Sequence, residues 1–110
     1  MNFKIENDVL IIEVPNTSTE TIAKRLNELY FNMKDKDAVL DLQEFKKISL
    51  EDLIELLQIS NRHRMAKNSF VIVNEHISVD EVPDELVVVP TIQEAFDIIE
   101  MEMIERDLGF

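Results

Sequence analysis

Three stretches decide the fold of this chain: Ala38-Val39-Leu40-Asp41-Leu42, the run from Ser49 to Leu57 (Ser-Leu-Glu-Asp-Leu-Ile-Glu-Leu-Leu), and Ser69-Phe70-Val71-Ile72-Val73. The first, apolar except for Asp41, and the third are short, unbroken runs, the pattern of strands covered on both faces, as in a parallel sheet. The second opens a helix. Ser49 stands three residues before Asp52, a variant of the capping box, and the apolar spacing continues to about Lys67. Two stripes can be drawn on that helix, Leu50, Leu53, Ile54 and Leu57, then Leu56, Ile59, Ser60 and His63. Together they exceed one core face, so the helix is either deeply buried or keeps part of its surface for a partner. Arg62, His63, Arg64 and Lys67 collect in its last turns, where cations complement the helix dipole.

Working outward from this centre, Phe3 to Glu6 and Val9 to Val14 read as strands joined by Asn7-Asp8, a tight hairpin turn without the usual glycine. Pro15 ends the hairpin. Thr17-Ser18-Thr19-Glu20 fits a capping box, and Ile22, Leu26, Leu29 and Met33 behind it make one helical stripe. Lys34-Asp35-Lys36-Asp37 is a polar break before the first central strand. Beyond the third stretch, Asn74 to Asp84 reads as an irregular loop with at most a short helical turn, and Glu85 to Val89 as a strand ended by Pro90. Thr91-Ile92-Gln93-Glu94 caps a final helix with Ile92, Ala95, Phe96, Ile99 and Met103 on its inner stripe. The order implies an α/β fold: a mixed, largely parallel sheet of four or five strands with an N-terminal hairpin, packed with about three helices.

A length of 110 residues suits one hydrophobic core. The expected division is a body over residues 1–100 and a helical tail over 101–110, with Met101, Ile104 and Leu108 on a stripe offset from the core and Phe110 at the end. That tail packs on its own domain or docks on a second molecule. Composition removes many functions. There is a single glycine, Gly109, and no cysteine. Glycine-rich phosphate loops, nucleophile elbows, thiol chemistry and cysteine-based zinc sites are therefore excluded. His63 and His76 lack a partner at helical ligand spacing, and the acids of 80–85 lack the alternating carboxylates and turning glycine of a calcium loop. No cofactor is expected.

The net charge of −12 disfavours nucleic acid and anionic membranes as partners. Residues 74–110 hold 11 acids against Arg106 alone, so the C-terminal third presents an acidic surface. No run reaches the ~18 apolar residues of a membrane span, and the stretch Met1 to Glu13 has acids inside its apolar part, unlike a signal peptide. The expected address is cytoplasmic. Asp41, at the end of a buried strand, is the one acid placed for a perturbed environment, and an enzyme would need convergent polar groups in a pocket around it.

Val39-Leu40-Asp41-Leu42, Ile48, Ser49 to Asp52, Leu53, Leu56-Leu57 and Phe70-Val71-Ile72-Val73 together resemble the central segment of STAS domains, the anti-sigma factor antagonist fold, and Glu94-Ala95 resembles the Glu-Ala usual at the start of that family's last helix. The segment covers about a third of the chain, and the order of elements extends the similarity to nearly all of it. In the family the turn after the third strand reads Asp-Ser-Ser/Thr-Gly and is phosphorylated by a partner kinase that doubles as an anti-sigma factor. The matching positions here are Ser49, Leu50, Glu51 and Asp52, so the phosphoacceptor position is Leu50, which has no hydroxyl, and the glycine is Asp52. Ser49 is displaced by one residue and is explained as an N-cap. The Asn74 to Asp84 loop is also short where family members have a further helix.

The resemblance implies a non-enzymatic domain that binds a protein partner, an anti-sigma-factor-like kinase or another regulator. Its face would be the start of the second helix: Ser49, Leu50, Glu51, Asp52, Leu53, Ile54 and Leu57, beside Asp41. Glu51 would place a permanent negative charge there in place of a switched one. The alternative is a homodimeric adaptor or an accessory subunit of a larger complex, such as a STAS-like lipid-transport subunit, using Met101, Ile104, Leu108 and Phe110.

Overall fold

The computed structural model describes residues 1–16, 24–28 and 35–109. Strand β1 (Asn2–Glu6) turns into β2 (Val9–Glu13) through Asn7 and Asp8, both with positive φ (54° and 63°). This is the backbone of a type I′ turn, and asparagine and aspartate tolerate it best after glycine. Residues 24–28 are helical and form α1. The capping box at Thr17–Glu20 and the stripe positions Ile22, Leu29 and Met33 lie outside the described residues; Leu26 is fully buried.

Strand β3 (Asp37–Asp41), helix α2 (Leu50–Met65), strand β4 (Phe70–Val73), a single 3₁₀ turn at Val79–Glu81, strand β5 (Val87–Val89) and helix α3 (Ile92–Asp107) complete the order. The five strands form one mixed sheet in the order β1-β2-β3-β4-β5. β1 is antiparallel to β2, and the remaining pairs are parallel. The expected architecture is what the structure has. Asp37, read in the sequence as the end of a polar break, instead starts β3: its carboxylate accepts the Ser69 N–H at 2.6 Å and so is held inside the sheet's end.

Period-two alternation builds a core on each face of the sheet. Ile12, Ala38, Leu40, Phe70 and Ile72 point to one side, where they meet Leu26 of α1 and Leu53, Leu56 and Ile59 of α2. Val9, Ile11, Val39, Val71 and Val73 point to the other and meet Ala95 and Ile99 of α3. Each fully buried aliphatic side chain contributes roughly 1.5–3 kcal/mol of transfer free energy, so these two clusters dominate stability. Among the described residues no helix is long and apolar enough to cross a membrane.

Candidate functional site at the start of the second helix

Helix α2 begins where β3 delivers the chain, beyond the carboxyl ends of the parallel strands. Open α/β sheets present their functional surfaces at this end. Ser49, in extended conformation, accepts the Asp52 N–H at 3.1 Å through its hydroxyl and starts the helix. Glu51 and Asp52 lie in the first turn, where the positive end of the helix dipole stabilises them.

The over-wide apolar arc of α2 is divided by the structure. Leu53, Leu56, Ile59, Ser60 and His63 are buried, Leu57 is half-buried against the core, and Leu50 and Ile54 stand 55% and 46% exposed. Two large aliphatic side chains one turn apart thus face solvent, with the exposed Glu51 and Glu55 between and beside them and Lys46 and Lys47 just upstream.

The loop leading into α2 is fixed from the neighbouring strand. Asn74, buried just past β4, donates through Nδ2 to the carbonyls of Leu42 (2.9 Å) and Phe45 (2.8 Å). Its Oδ1 accepts the N–H groups of His76 (2.8 Å) and Ile77 (3.1 Å). One amide therefore joins the loops that follow β3 and β4. In the sequence Asn74 was only the first residue of an acidic, irregular loop; an asparagine directly after a buried strand was the available signal.

Asp41 stands at the end of β3, ahead of the loop that leads into α2. Its Oδ1 accepts the Gln43 N–H at 3.0 Å and closes the turn that ends β3. Among the described residues, the cleft beside it is lined by Asn2, Glu13, Val14, Gln43 and Glu44.

Sequence reasoning also missed a polar cluster at the opposite end of the sheet. Arg64 pairs with Glu102 at 2.8 Å and donates to the Phe70 carbonyl at 3.1 Å. Arg106 donates to Ser69 Oγ (3.1 Å) and to Asp37 Oδ1 (3.3 Å). His63 is buried with its Nε2 against the Lys36 carbonyl and its ring edge-on to Phe70, 6.0 Å between centroids. Burial pushes the His63 pKa below the usual imidazole range; the Lys36 carbonyl and the Asp37 carboxylate oppose that push, and Arg64 adds to it. His63 and Arg64 are thus held by tertiary contacts, beyond the dipole role their position in α2 suggested. Residues 101–107 are the last turns of α3, whose Glu102 and Arg106 face the body of the domain while Met101, Ile104 and Leu108 are 50%, 54% and 67% exposed. Phe110 lies outside the described residues.

No family model and no curated protein matches the chain at the level of sequence. Solved structures do match. The protein TM1081 superposes with a TM-score of 0.65 at 20% identity, over 89% of this chain and 86% of that one. A variant of RsbS from Moorella thermoacetica gives 0.66 at 15% identity, over 90% and 96%. A chain from the structure of the stressosome, described as a signal integration and transduction hub, gives 0.62 at 15% identity, over 91% and 96%. The likeness establishes the fold, which is STAS-like, as the residues around Asp41 and Ser49 led us to expect.

Proposed function

We propose, from the STAS-like fold and the resemblance that matches Leu50 to that family's phosphoacceptor, that this chain is a non-enzymatic regulatory interaction domain of the cytoplasm whose α2 face binds a protein partner without a serine-phosphorylation switch. The observation that carries the reading is the exposure of Leu50 and Ile54 on a helix whose other leucine and isoleucine side chains are buried or half-buried. Exposed leucine and isoleucine side chains bracketed by charges fit the apolar centre and polar rim of a protein interface. RsbS and the stressosome chain, which share the fold, support a regulatory role within a protein assembly. The partner class is an anti-sigma-factor-like kinase or a regulator of that kind, and Glu51 supplies constitutively the charge that phosphate supplies in the family.

The test is calorimetric titration with the anti-sigma-factor-like kinases of the same genome, using the wild type and the double variant Leu50→Asp, Ile54→Asp. Binding that weakens at least tenfold in the variant supports the face; equal binding by both proteins removes it. Intact-mass measurement after incubation with kinase and ATP tests the missing switch, since stoichiometric phosphate on Ser49 would sink it. A second reading, a homodimeric adaptor or accessory subunit, is favoured by Met101, Ile104 and Leu108 on the outer side of α3. Substituting Ile104→Glu and Leu108→Glu and measuring mass by light scattering separates the two, because only the second reading loses its complex.

A further inference from the structure

β1 is an outer strand of the sheet and, among the described residues, is paired on one side only. In a two-residue hairpin the pair flanking the turn, here Glu6 and Val9, exchanges both backbone hydrogen bonds, and the pattern alternates from there. Asn2, Lys4 and Glu6 therefore direct their N–H and C=O groups toward β2, while Phe3 and Ile5 direct theirs outward. These two residues also carry exposed apolar side chains, 44% and 61% accessible. Their cross-strand partners are Ile12 and Leu10, which places both on the α2 side of the sheet, with Lys4 and Glu6 on the α3 side. Lys4 reaches Glu13 at 3.5 Å, both side chains being well exposed; Glu6 has no ion pair among the described residues.

We infer that β1 pairs antiparallel with β1 of a second copy of this chain, around a two-fold axis at Ile5. In that register Ile5 faces Ile5 and exchanges two backbone hydrogen bonds with it. Lys4 of each copy then stands opposite Glu6 of the other, so both orphan carboxylates gain a cation. The sequence selects this register over its neighbours. An axis at Lys4 sets the two ammonium groups opposite each other at a closely spaced pair, which is repulsive. An axis at Phe3 leaves Glu6 beyond the paired region. Pairing at Ile5 merges the apolar strips of both copies on the α2 side, joins two five-stranded sheets into one, and leaves no long apolar edge open to further strands. The interface is short, so the dimer is weak and concentration-dependent. It uses neither the start of α2 nor the outer side of α3 and stands apart from both functional readings.

Sedimentation equilibrium over the micromolar range tests it on the full chain, with circular dichroism to confirm folding. The wild type is expected to dimerise. Glu6→Lys, which leaves the Lys4 to Glu13 contact in place, and Lys4→Glu each weaken the dimer about tenfold, since opposite-charge cross-strand pairs become like-charge ones at two symmetric positions. The double variant Lys4→Glu, Glu6→Lys recovers wild-type affinity, and Ile5→Asp abolishes dimers. A wild type that stays monomeric throughout, a double variant no better than the singles, or a dimer lost through Ile104→Glu and indifferent to Ile5→Asp would each overturn the inference.

Discussion

Asn74 donates to the Phe45 carbonyl at 2.8 Å across 29 residues of sequence, and through that bond the end of β4 holds the loop that launches α2. The same nitrogen serves Leu42, and the side-chain oxygen serves two further N–H groups, so all four contacts depend on one buried amide. Asn74→Ala is expected to destabilise the domain by about 2–4 kcal/mol, because it leaves buried backbone groups without partners. Asn74→Asp, which keeps the acceptor but sets a buried carboxylate oxygen against the Leu42 and Phe45 carbonyls, should cost at least as much. Urea denaturation of the three proteins checks the order.

His63 gives the domain a dependence on mild acid. Burial holds its folded pKa below the ordinary imidazole value of about 6.5, so the unfolded chain takes up its proton first as pH falls. Stability contributed by neutral His63 is therefore complete above pH 6.5 and is lost as pH drops from there toward the lowered folded value. The wild type should lose more stability between pH 7.5 and 5.5 than His63→Gln, which cannot titrate. Parallel slopes for the two proteins in urea melts at both pH values would remove His63 as the source.

How much of this was readable from the chain depends on the range of each interaction. The hairpin turn, the N-caps at Ser49 and Thr91, the two-sided strands and the order of elements are local patterns, and all are present, although β5 starts at Val87, two residues later than read, because Asp84 to Leu86 form a turn. The divided surface of α2 was half legible: the excess of apolar positions was plain, but only packing could show that Leu53 turns inward while Leu50 and Ile54 remain outside. The cluster of Asp37, Ser69 and Arg106 spans 69 residues and rests on single charged side chains, which no periodicity marks. Arg64 and His63 had a sufficient local explanation in the helix dipole, and that explanation hid their contacts with Glu102, Phe70 and Lys36.

Arg106 carries the end of α3, since its guanidinium spans Ser69 and Asp37 while Asp37 also holds the Ser69 N–H. Removing it with Arg106→Ala should cost about 1.5–3 kcal/mol, the range for losing hydrogen bonds to charged groups. Fraying should follow in the last turns of the helix. Amide hydrogen exchange is expected to quicken from Met103 onward while the β3 and β4 amides stay protected; uniform loss of protection across the domain would show that Arg106 supports the sheet as a whole.

Ser49 is the residue on which cap and switch make opposite predictions. As an N-cap it satisfies the Asp52 N–H, and Ser49→Ala should cost about 1 kcal/mol of stability while leaving partner affinity within twofold once the protein is folded. Ser49→Asp keeps a capping oxygen and should restore most of that stability, because aspartate caps as well as serine and its charge suits the helix start. A phosphorylated switch predicts otherwise: Ser49→Asp would mimic the modified state and change affinity by an order of magnitude whatever its stability. Thermal melts and titrations on the same three proteins therefore distinguish a serine that starts a helix from one that signals.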